Sequence, residues 1–222
     1  MPKVTFFNLA AEKRQRIIDL SIDEFAENNY KNASISKIVA RAEIAKGSFY
    51  QYFEDKQDLY LYLIQVSGDE KAEFLRQTPP PDTKNIFDHI RWLISIGLSF
   101  EFSNPKLAQI GYRAIFDDAP LPEETRQIIE EGGLNFFTQM VENGKTQGAI
   151  DPGLDSHTVA FLFNAVFMNL GTYLLKRYQV APKTLLEPQA KALDQPEILA
   201  AIEQVLTILE RGLGIESSTQ TQ

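Results

Sequence analysis

The sequence predicts an all-α fold of about nine helices, in which an N-terminal three-helix head precedes a larger helical domain. Apolar residues recur at intervals of three, four and seven along most of the 222 residues, which is the spacing of one side of an α-helix. No stretch shows the strict apolar–polar alternation of a half-buried strand, and no internal repeat is evident. Proline clusters, above all residues 79–81, separate the helical stretches, because proline cannot continue a helix.

The first predicted helix runs from about Leu9 to Asn29, with its buried side formed by Ile18, Ile22, Phe25 and Ala26. Residues 1–8 precede it and are predicted to be a flexible tail, with a DNA contact by Lys3 as the alternative.

Two short helices joined by a tight turn are predicted between Ser34 and Phe53. Ser34 is suited to cap the first helix, since its hydroxyl can accept from an unpaired backbone N–H of the first turn. The apolar side of that helix is formed by Ile35, Ile38, Val39 and Ala42. Glu43 and Ile44 form the turn, and the second helix follows over residues 45–52.

The second of these helices has two sides of different chemistry. Phe49 and Phe53 lie four residues apart and are predicted to be buried. The opposite side is small, polar, cationic and aromatic, and consists of Lys46, Gly47, Ser48, Tyr50 and Tyr52. Such a side suits a helix that lies against a phosphate backbone and base edges. The stretch therefore predicts double-stranded DNA as a partner.

These residues resemble the DNA-binding signature of the TetR family of bacterial transcriptional regulators, over about residues 10–60. The match comprises Ser34 as the hydroxyl cap, Ile38 and Ala42 at packing positions, Ile44 in the turn, 46–50 with 52–53 in the recognition helix, and Lys56 opening the next helix. Two positions depart from the family: Val39 stands where alanine is usual, and Glu43 where glycine is usual. The second departure predicts a turn that is tighter or more helical.

The resemblance implies a sequence-specific transcriptional regulator that acts as a repressor and a homodimer. Its two recognition helices would enter successive major grooves of a palindromic operator. By this resemblance Lys46, Gly47, Ser48 and Tyr50 lie at the groove, and Ser34, Tyr52 and Lys56 hold phosphates. A small molecule in the C-terminal half would change the spacing of the two DNA-reading heads.

The net charge of −8 at first argues against DNA binding, but its distribution does not. Residues 1–60 hold 9 Lys and Arg and 9 Asp and Glu, so the remaining 13 basic and 21 acidic residues carry the whole excess. A local patch rather than the net charge decides where DNA docks. The absence of cysteine fits a reducing cytoplasm, and the N-terminus is too short and polar for a signal peptide.

The head is predicted to occupy residues 1–54 and a regulatory domain residues 55–222. Helices are predicted from Asp55, after the prolines at 79–81, and from Pro105, because proline suits the first position of a helix. A seventh helix spans about 122–147 and contains Gly132 and Gly133, a pair typical of a kink or a close helix approach. The rest of the chain is predicted to form a loop over residues 179–195, a ninth helix over 196–213 and a disordered tail from 217.

The eighth predicted helix, residues 155–178, is apolar on nearly all sides. A helix of this kind is buried on all sides or lies in lipid. Its apolar run of about 17 residues is short for the ~20 that span a bilayer, and it contains Asn164, Asn169 and Gly171. We therefore expect a homodimer interface built from the seventh and eighth helices, with Phe163 and Phe167 in it, and no membrane association.

The C-terminal half is rich in aromatic residues, which predicts either a plain core or a cavity for an apolar or aromatic effector. The candidate effector residues are Trp92, Tyr112, Phe116, Phe137, Phe163, Asn164 and Phe167.

Catalysis is not expected. The only two histidines, His89 and His157, fall in separate helices, and there is no nucleophile elbow, glycine-rich phosphate loop or cluster of metal ligands. No cofactor or metal is predicted. The alternative to a DNA-binding regulator is a ligand-binding or protein-interaction module whose head is vestigial, and a damaged recognition helix would be its sign.

Overall fold

The computed structural model describes residues 1–83, 85–116, 121–179 and 196–214. Within these ranges the chain forms ten helices and no strand, which confirms the all-α class. The helices are α1 (Val4–Phe7), α2 (Ala11–Glu27), α3 (Ile35–Arg41), α4 (Lys46–Tyr52), α5 (Lys56–Gln77), α6 (Ile86–Ser103), α7 (Pro105–Phe116), α8 (Glu123–Thr146), α9 (Ser156–Arg177) and α10 (Pro196–Leu213). The predicted loop from residue 180 onward and the predicted tail from 217 lie outside the described residues.

Local sequence signals set several helix ends. Asp55 caps α5 by accepting from the backbone N–H of Asp58 at 2.8 Å, and Asp155 caps α9 by accepting from that of Thr158 at 2.8 Å. These side-chain oxygens pair backbone donors that have no partner inside the helix. Pro105 and Pro196 occupy the first positions of α7 and α10, where a missing N–H costs nothing. The helix α5 ends just before the prolines at 79–81.

The packing divides the chain into two compact units, Met1–Thr78 with Phe100–Glu123, and Pro79–Ser99 with Glu124–Gln222. In the first unit α7 packs against both α2 and α5. The core of this unit is strongly aromatic, and its fully buried side chains include Phe6, Phe25, Phe49, Phe53, Leu59, Tyr60, Leu63 and Ile110. The boundary predicted at residue 54 separates a DNA-binding head from a regulatory domain by function and not by packing. It stays a prediction.

The N-terminal residues are not a flexible tail, which corrects the expectation for residues 1–8. Residues 4–7 form the short helix α1, and Phe6 is completely buried in the core of the first unit. Its ring lies 4.8 Å from that of Phe53 and 5.6 Å from that of Tyr62. Four residues are too few for a helical periodicity to be visible in the sequence.

The second unit is built from α8, α9, α10 and the first part of α6. Arg91 of α6 pairs with Glu203 and Glu210 of α10, at 3.4 and 2.8 Å. The two glycines of α8 differ in their surroundings. A Cβ on Gly133 would lie 2.7 Å from Oδ1 of Asn164 in α9, whereas one on Gly132 would meet nothing within 4 Å. Gly133 therefore leaves room for the Asn164 side chain of α9, and the kink or close helix approach expected of this pair stays a prediction.

The helix α9 has an apolar inner side and an apolar outer side. Its inner side, with Val159, Phe163, Leu170 and Leu174, is buried in the second unit. Its outer side exposes Phe161 (61%), Leu162 (40%) and Tyr173 (46%). None of the helices in the described part of the chain combines the length and apolar character needed to cross a membrane.

Candidate nucleic-acid interface

The helix–turn–helix formed by α3 and α4 is held by a cap at Ser34 and by two aromatic anchors. Ser34 caps α3, its hydroxyl accepting from the backbone N–H of Lys37 at 3.4 Å. Phe49 and Phe53 are 1% and 0% exposed, which fixes α4 against the core. The predicted cap and both predicted anchors are confirmed.

The turn adopts a left-handed backbone at Glu43, with φ of +56°. This conformation costs a residue with a Cβ about 1–2 kcal/mol, whereas glycine enters it freely. Of the two expectations for this turn, tighter or more helical, the second is not met at Glu43, because the backbone there is left-handed. The tighter turn stays a prediction. The Glu43 carboxylate lies 3.0 Å from the guanidinium of Arg16, a surface pair that offsets at most about 1 kcal/mol.

A buried glutamate that the sequence analysis did not identify supports the start of α3. Glu24 of α2 is 3% exposed, and its Oε1 accepts from the backbone N–H of Ser34 at 3.0 Å and from the Asn28 amide at 3.2 Å. A buried carboxylate is tolerated only when it is hydrogen-bonded. Glu24 therefore fixes the residue that caps α3.

The exposed side of α4 consists of residues that do little for the packing of the chain. Lys46, Gly47 and Tyr50 are exposed and Ser48 is half-buried. The side chains of Lys46 and Ser48 make no hydrogen bond or ion pair to other described residues, and a Cβ on Gly47 would meet nothing within 4 Å. Gln51 is also exposed, four residues after Gly47 and hence on the same side. The prediction omitted Gln51.

Tyr52 does not lie on this exposed side, which is a correction. It is 7% exposed and its ring lies 6.1 Å from that of Phe6. Tyr52 follows Phe49 by three residues, so helical geometry puts both on the buried side. Its contact with a phosphate stays a prediction.

Lys56 is engaged inside the head. Its Nζ donates to the backbone carbonyls of Tyr30 at 2.7 Å, Ala33 at 3.1 Å and Lys31 at 3.4 Å. An ammonium has three donors, so these carbonyls occupy all of them. The ammonium also lies 4.6 Å from the centre of the Tyr30 ring, and burial, with the nearby Asp55 charge, raises the pKa of that phenol. Lys56 thus holds the segment that leads into α3, and its predicted phosphate contact stays untested.

Most other cations of the head are paired, which leaves the exposed sides of α3 and α4 with few free ones. Arg41 pairs with Asp23 at 2.9 Å, and Arg16 with Glu43. Burial raises the pKa of Asp23, but hydrogen bonds from Lys106 and Arg41 outweigh this and hold the pKa below its ordinary value. Lys37 in the first turn of α3 is exposed, with no ion pair within the described residues. It is a candidate phosphate contact that the sequence analysis missed.

Two family models match the chain. The first, bacterial regulatory proteins of the tetR family, matches residues 17–63, which contain the helix–turn–helix. The second, tetracyclin repressor-like C-terminal domain, matches residues 84–214, more than half of the chain. The chain belongs to the TetR family. It is accordingly a DNA-binding transcriptional regulator, as the resemblance of residues 10–60 indicated.

Solved and curated relatives agree with this assignment. A TetR family transcriptional regulator from Chloroflexus aurantiacus J-10-FL is 52% identical, with a TM-score of 0.80 over 96% of this chain and 98% of that one. The fatty acid metabolism regulator protein of Bacillus subtilis (strain 168) is 29% identical over 64% of this chain and 73% of its own length. FadR from Bacillus subtilis in complex with stearoyl-CoA is 21% identical, with a TM-score of 0.66 over 89% and 98% of the two chains, and shows the fold alone.

The predicted effector residues of this TetR family member fall in both units. Phe137 and Phe163 are 4% and 2% exposed, with ring centres 6.1 Å apart, and Phe167 lies 5.7 Å from Phe137. Trp92 of α6 has a buried indole N–H with no acceptor among the described residues. Asn164 lies against Gly133. Tyr112 and Phe116 belong to α7 in the first unit, and the Phe116 side chain is outside the described part of the structure.

A surface cavity of about 220 Å³ lies between α6 and α8. It is lined by Ile86, His89, Phe136, Gln139, Met140, Asn143, Gly144 and Gln147. Three of these are amides at four-residue spacing, Gln139 and Asn143 in α8 and Gln147 directly after its end. The sequence prediction, which considered aromatic residues, did not include them. None of the predicted effector residues lines this cavity, so their role stays a prediction.

Proposed function

We propose that this TetR family member is a repressor that binds a palindromic operator as a homodimer in the cytoplasm. A small apolar or aromatic effector would release it. The observation that carries the proposal is the exposed side of α4, where Lys46, Gly47, Ser48 and Tyr50 have little part in the packing of the chain.

The recognition helix offers one cation, one hydroxyl and one aromatic ring for base edges and phosphates. Lysine donates to guanine acceptors or phosphates, and serine can donate or accept. Ser34 already accepts from a backbone N–H, so its own hydroxyl proton remains available for a phosphate. We assign the other phosphate contact near the start of α3 to Lys37, because Lys56 already donates to three carbonyls.

The DNA-binding role is tested with Tyr50→Ala. The Tyr50 ring is 49% exposed and touches Phe49 edge-on at 5.2 Å, so its loss should change stability little. We expect operator binding to be lost in an anisotropy titration, while sedimentation still shows the dimer. Tyr50→Phe, which keeps the ring, separates the contribution of the ring from that of the hydroxyl. Wild-type affinity in Tyr50→Ala would remove the recognition role of this residue.

The dimer interface is proposed on α8 and α9, the seventh and eighth helices of the sequence prediction. The outer side of α9 leaves Phe161, Leu162 and Tyr173 in water, and two recognition heads need a twofold partner to reach successive grooves about 34–36 Å apart. Phe163 is buried inside its own protomer, so a charge there would unfold the chain rather than separate the subunits. Phe161 and Leu162 replace Phe163 as the proposed interface residues, and the half-buried Phe167 stays a candidate.

Phe161→Glu tests the interface. Burying a carboxylate against an apolar partner is costly, so we expect folded monomers in sedimentation and a weaker operator complex. The control is Ile208→Glu on α10, where the side chain is 70% exposed; it should remain dimeric. Dissociation by Ile208→Glu with an intact Phe161→Glu dimer would move the interface to α10.

The effector is proposed to bind in the second unit beside the aromatic cluster of Phe137, Phe163 and Phe167. A buried donor without an acceptor is rare, and the indole N–H of Trp92 is such a donor that a ligand oxygen would satisfy. A relative named as a fatty acid metabolism regulator and a structural neighbour that binds stearoyl-CoA support a ligand with a long apolar part.

The single tryptophan of the chain gives a direct assay. Trp92 fluorescence is recorded during titration with stearoyl-CoA and with a series of aromatic carboxylic acids. CoA alone is the control. We expect saturable binding by an apolar probe, with operator release at the same concentrations, since an effector acts only through different affinities for two states. Saturable binding that leaves operator affinity unchanged would contradict the release mechanism.

A further inference from the structure

The C-terminal end of the recognition helix is closed by residues from the start of the chain. The last four carbonyls of any α-helix lack partners inside the helix, and in α4 these belong to residues 49–52. The first of them accepts from the backbone N–H of Phe53 at 2.9 Å. The other three accept from Lys3 and Thr5.

The three bonds use a backbone donor and two side chains. The backbone N–H of Lys3 donates to the carbonyl of Tyr52 at 2.8 Å, and its Nζ donates to that of Tyr50 at 3.0 Å. The hydroxyl of Thr5 donates to the carbonyl of Gln51. Nζ of Lys3 also lies 2.8 Å from the Glu54 carboxylate. A cation at a helix C-terminus is further favoured by the helix dipole.

Phe6 anchors this segment in the core. It is completely buried between the rings of Tyr52, Phe53 and Tyr62. Val4, which lies between the two donors, is 74% exposed and makes no such contact. Phe6 therefore anchors the segment, Lys3 and Thr5 cap α4, and the Val4 side chain does neither.

We propose that Lys3, Thr5 and Phe6 form an N-terminal clamp that positions the last turn of the recognition helix for DNA. That turn carries Tyr50 and Gln51, both on the exposed side. The clamp acts through α4 and does not itself touch the operator, since the Lys3 ammonium faces a backbone carbonyl and a carboxylate. The proposal rests on the assignment of the exposed side of α4 to DNA.

The size of the effect follows from the fraction of molecules in which the last turn is formed. An apparent Kd equals the intrinsic Kd divided by the competent fraction. If loss of both side-chain caps leaves the turn formed in about a tenth of molecules, the operator Kd rises about tenfold.

The test uses Lys3→Met with Thr5→Val in the full chain, with any purification tag at the C-terminus so that residues 1–8 keep their sequence. We expect an operator Kd about tenfold higher and faster hydrogen exchange at the Phe53 amide. Thr5→Ser keeps the hydroxyl and should behave like wild type. Val4→Ala is the matched control on the same segment and should change neither quantity.

The salt dependence separates positioning from direct contact. A cation that neutralises one phosphate contributes about 0.9 to the slope of log K against log salt. We expect the slope of the double variant to equal that of wild type. A slope smaller by about 0.9 would make Lys3 a phosphate contact, and an unchanged Kd would show that the clamp does not position α4. Wild-type binding, measured first, tests the DNA assignment of α4 separately.

Discussion

Gly47 is the residue whose replacement should move stability and DNA affinity in opposite directions. It is the second residue of α4, and an added Cβ would meet no heavy atom within 4 Å. Its backbone is not in the left-handed region. A glycine in a helix costs up to about 1 kcal/mol relative to alanine. Gly47→Ala should therefore raise the free energy of unfolding by up to about 1 kcal/mol.

The cost of that substitution should appear only on DNA. Glycine lets a backbone approach its ligand closely, and Gly47 lies on the exposed side of α4 with Lys46 and Tyr50. A methyl group there would hold the helix away from the groove. We expect the operator Kd to rise at least about tenfold, which is about 1.4 kcal/mol, in anisotropy titrations at one fixed salt concentration.

Gly68→Ala in α5 is the matched control, because Gly68 is also an exposed helical glycine whose added Cβ would meet nothing within 4 Å. It should stabilise the protein by a similar amount and leave the operator Kd unchanged. Wild-type DNA affinity in Gly47→Ala would refute the placement of this side of α4 at the groove. A loss of stability in the same variant would show that the methyl group meets other atoms and that the space around Gly47 is not open.

Two further predictions concern the rest of the head. Glu43 has φ of +56°, a backbone that glycine adopts more easily than alanine, so Glu43→Gly should be more stable than Glu43→Ala by about 1 kcal/mol. Both variants lose the pair with Arg16, so that loss does not affect the comparison. Equal stabilities in urea titrations would contradict this prediction. The pKa of Asp23 is held below its ordinary value by Lys106 and Arg41 against the opposing effect of burial, so the unfolded chain binds the proton more tightly. The stability that Asp23 contributes is therefore complete above the pKa of the unfolded chain, about 4. It is lost as the pH falls through the lower pKa that Asp23 has in the folded protein. The difference in unfolding free energy between wild type and Asp23→Asn should shrink over that range. A difference that grows on acidification would contradict a lowered pKa of Asp23 in the folded protein.

The parts of the head that could be predicted are those governed by local rules. The cap at Ser34 and the anchors Phe49 and Phe53 follow from side-chain chemistry and helical spacing over a few residues. The same spacing also places Tyr52 beside Phe49, three residues away, on the buried side. Its assignment to the exposed side grouped it by polar and aromatic character with Lys46, Ser48 and Tyr50, against that spacing, and the geometry contradicts it.

The parts that could not be predicted depend on partners far apart in the sequence. The Nζ of Lys3 donates to the carbonyl of residue 50, and the Nζ of Lys56 donates to the carbonyls of residues 30, 31 and 33. A lysine in a sequence is equally compatible with a phosphate and with a backbone carbonyl, and only the fold decides between them. In the same way, the apolar pattern of α9 did not reveal which side faces its own core.

Sequence-specific DNA recognition by α4 is tested by a binding selection on fragmented DNA from the protein's own source, at moderate salt. Wild type and Tyr50→Ala are run in parallel. If the exposed side of α4 reads an operator, wild type recovers one palindromic site and the variant recovers none. Recovery of DNA without sequence preference, or of the same site by both proteins, would contradict the claim that the exposed side of α4 reads an operator.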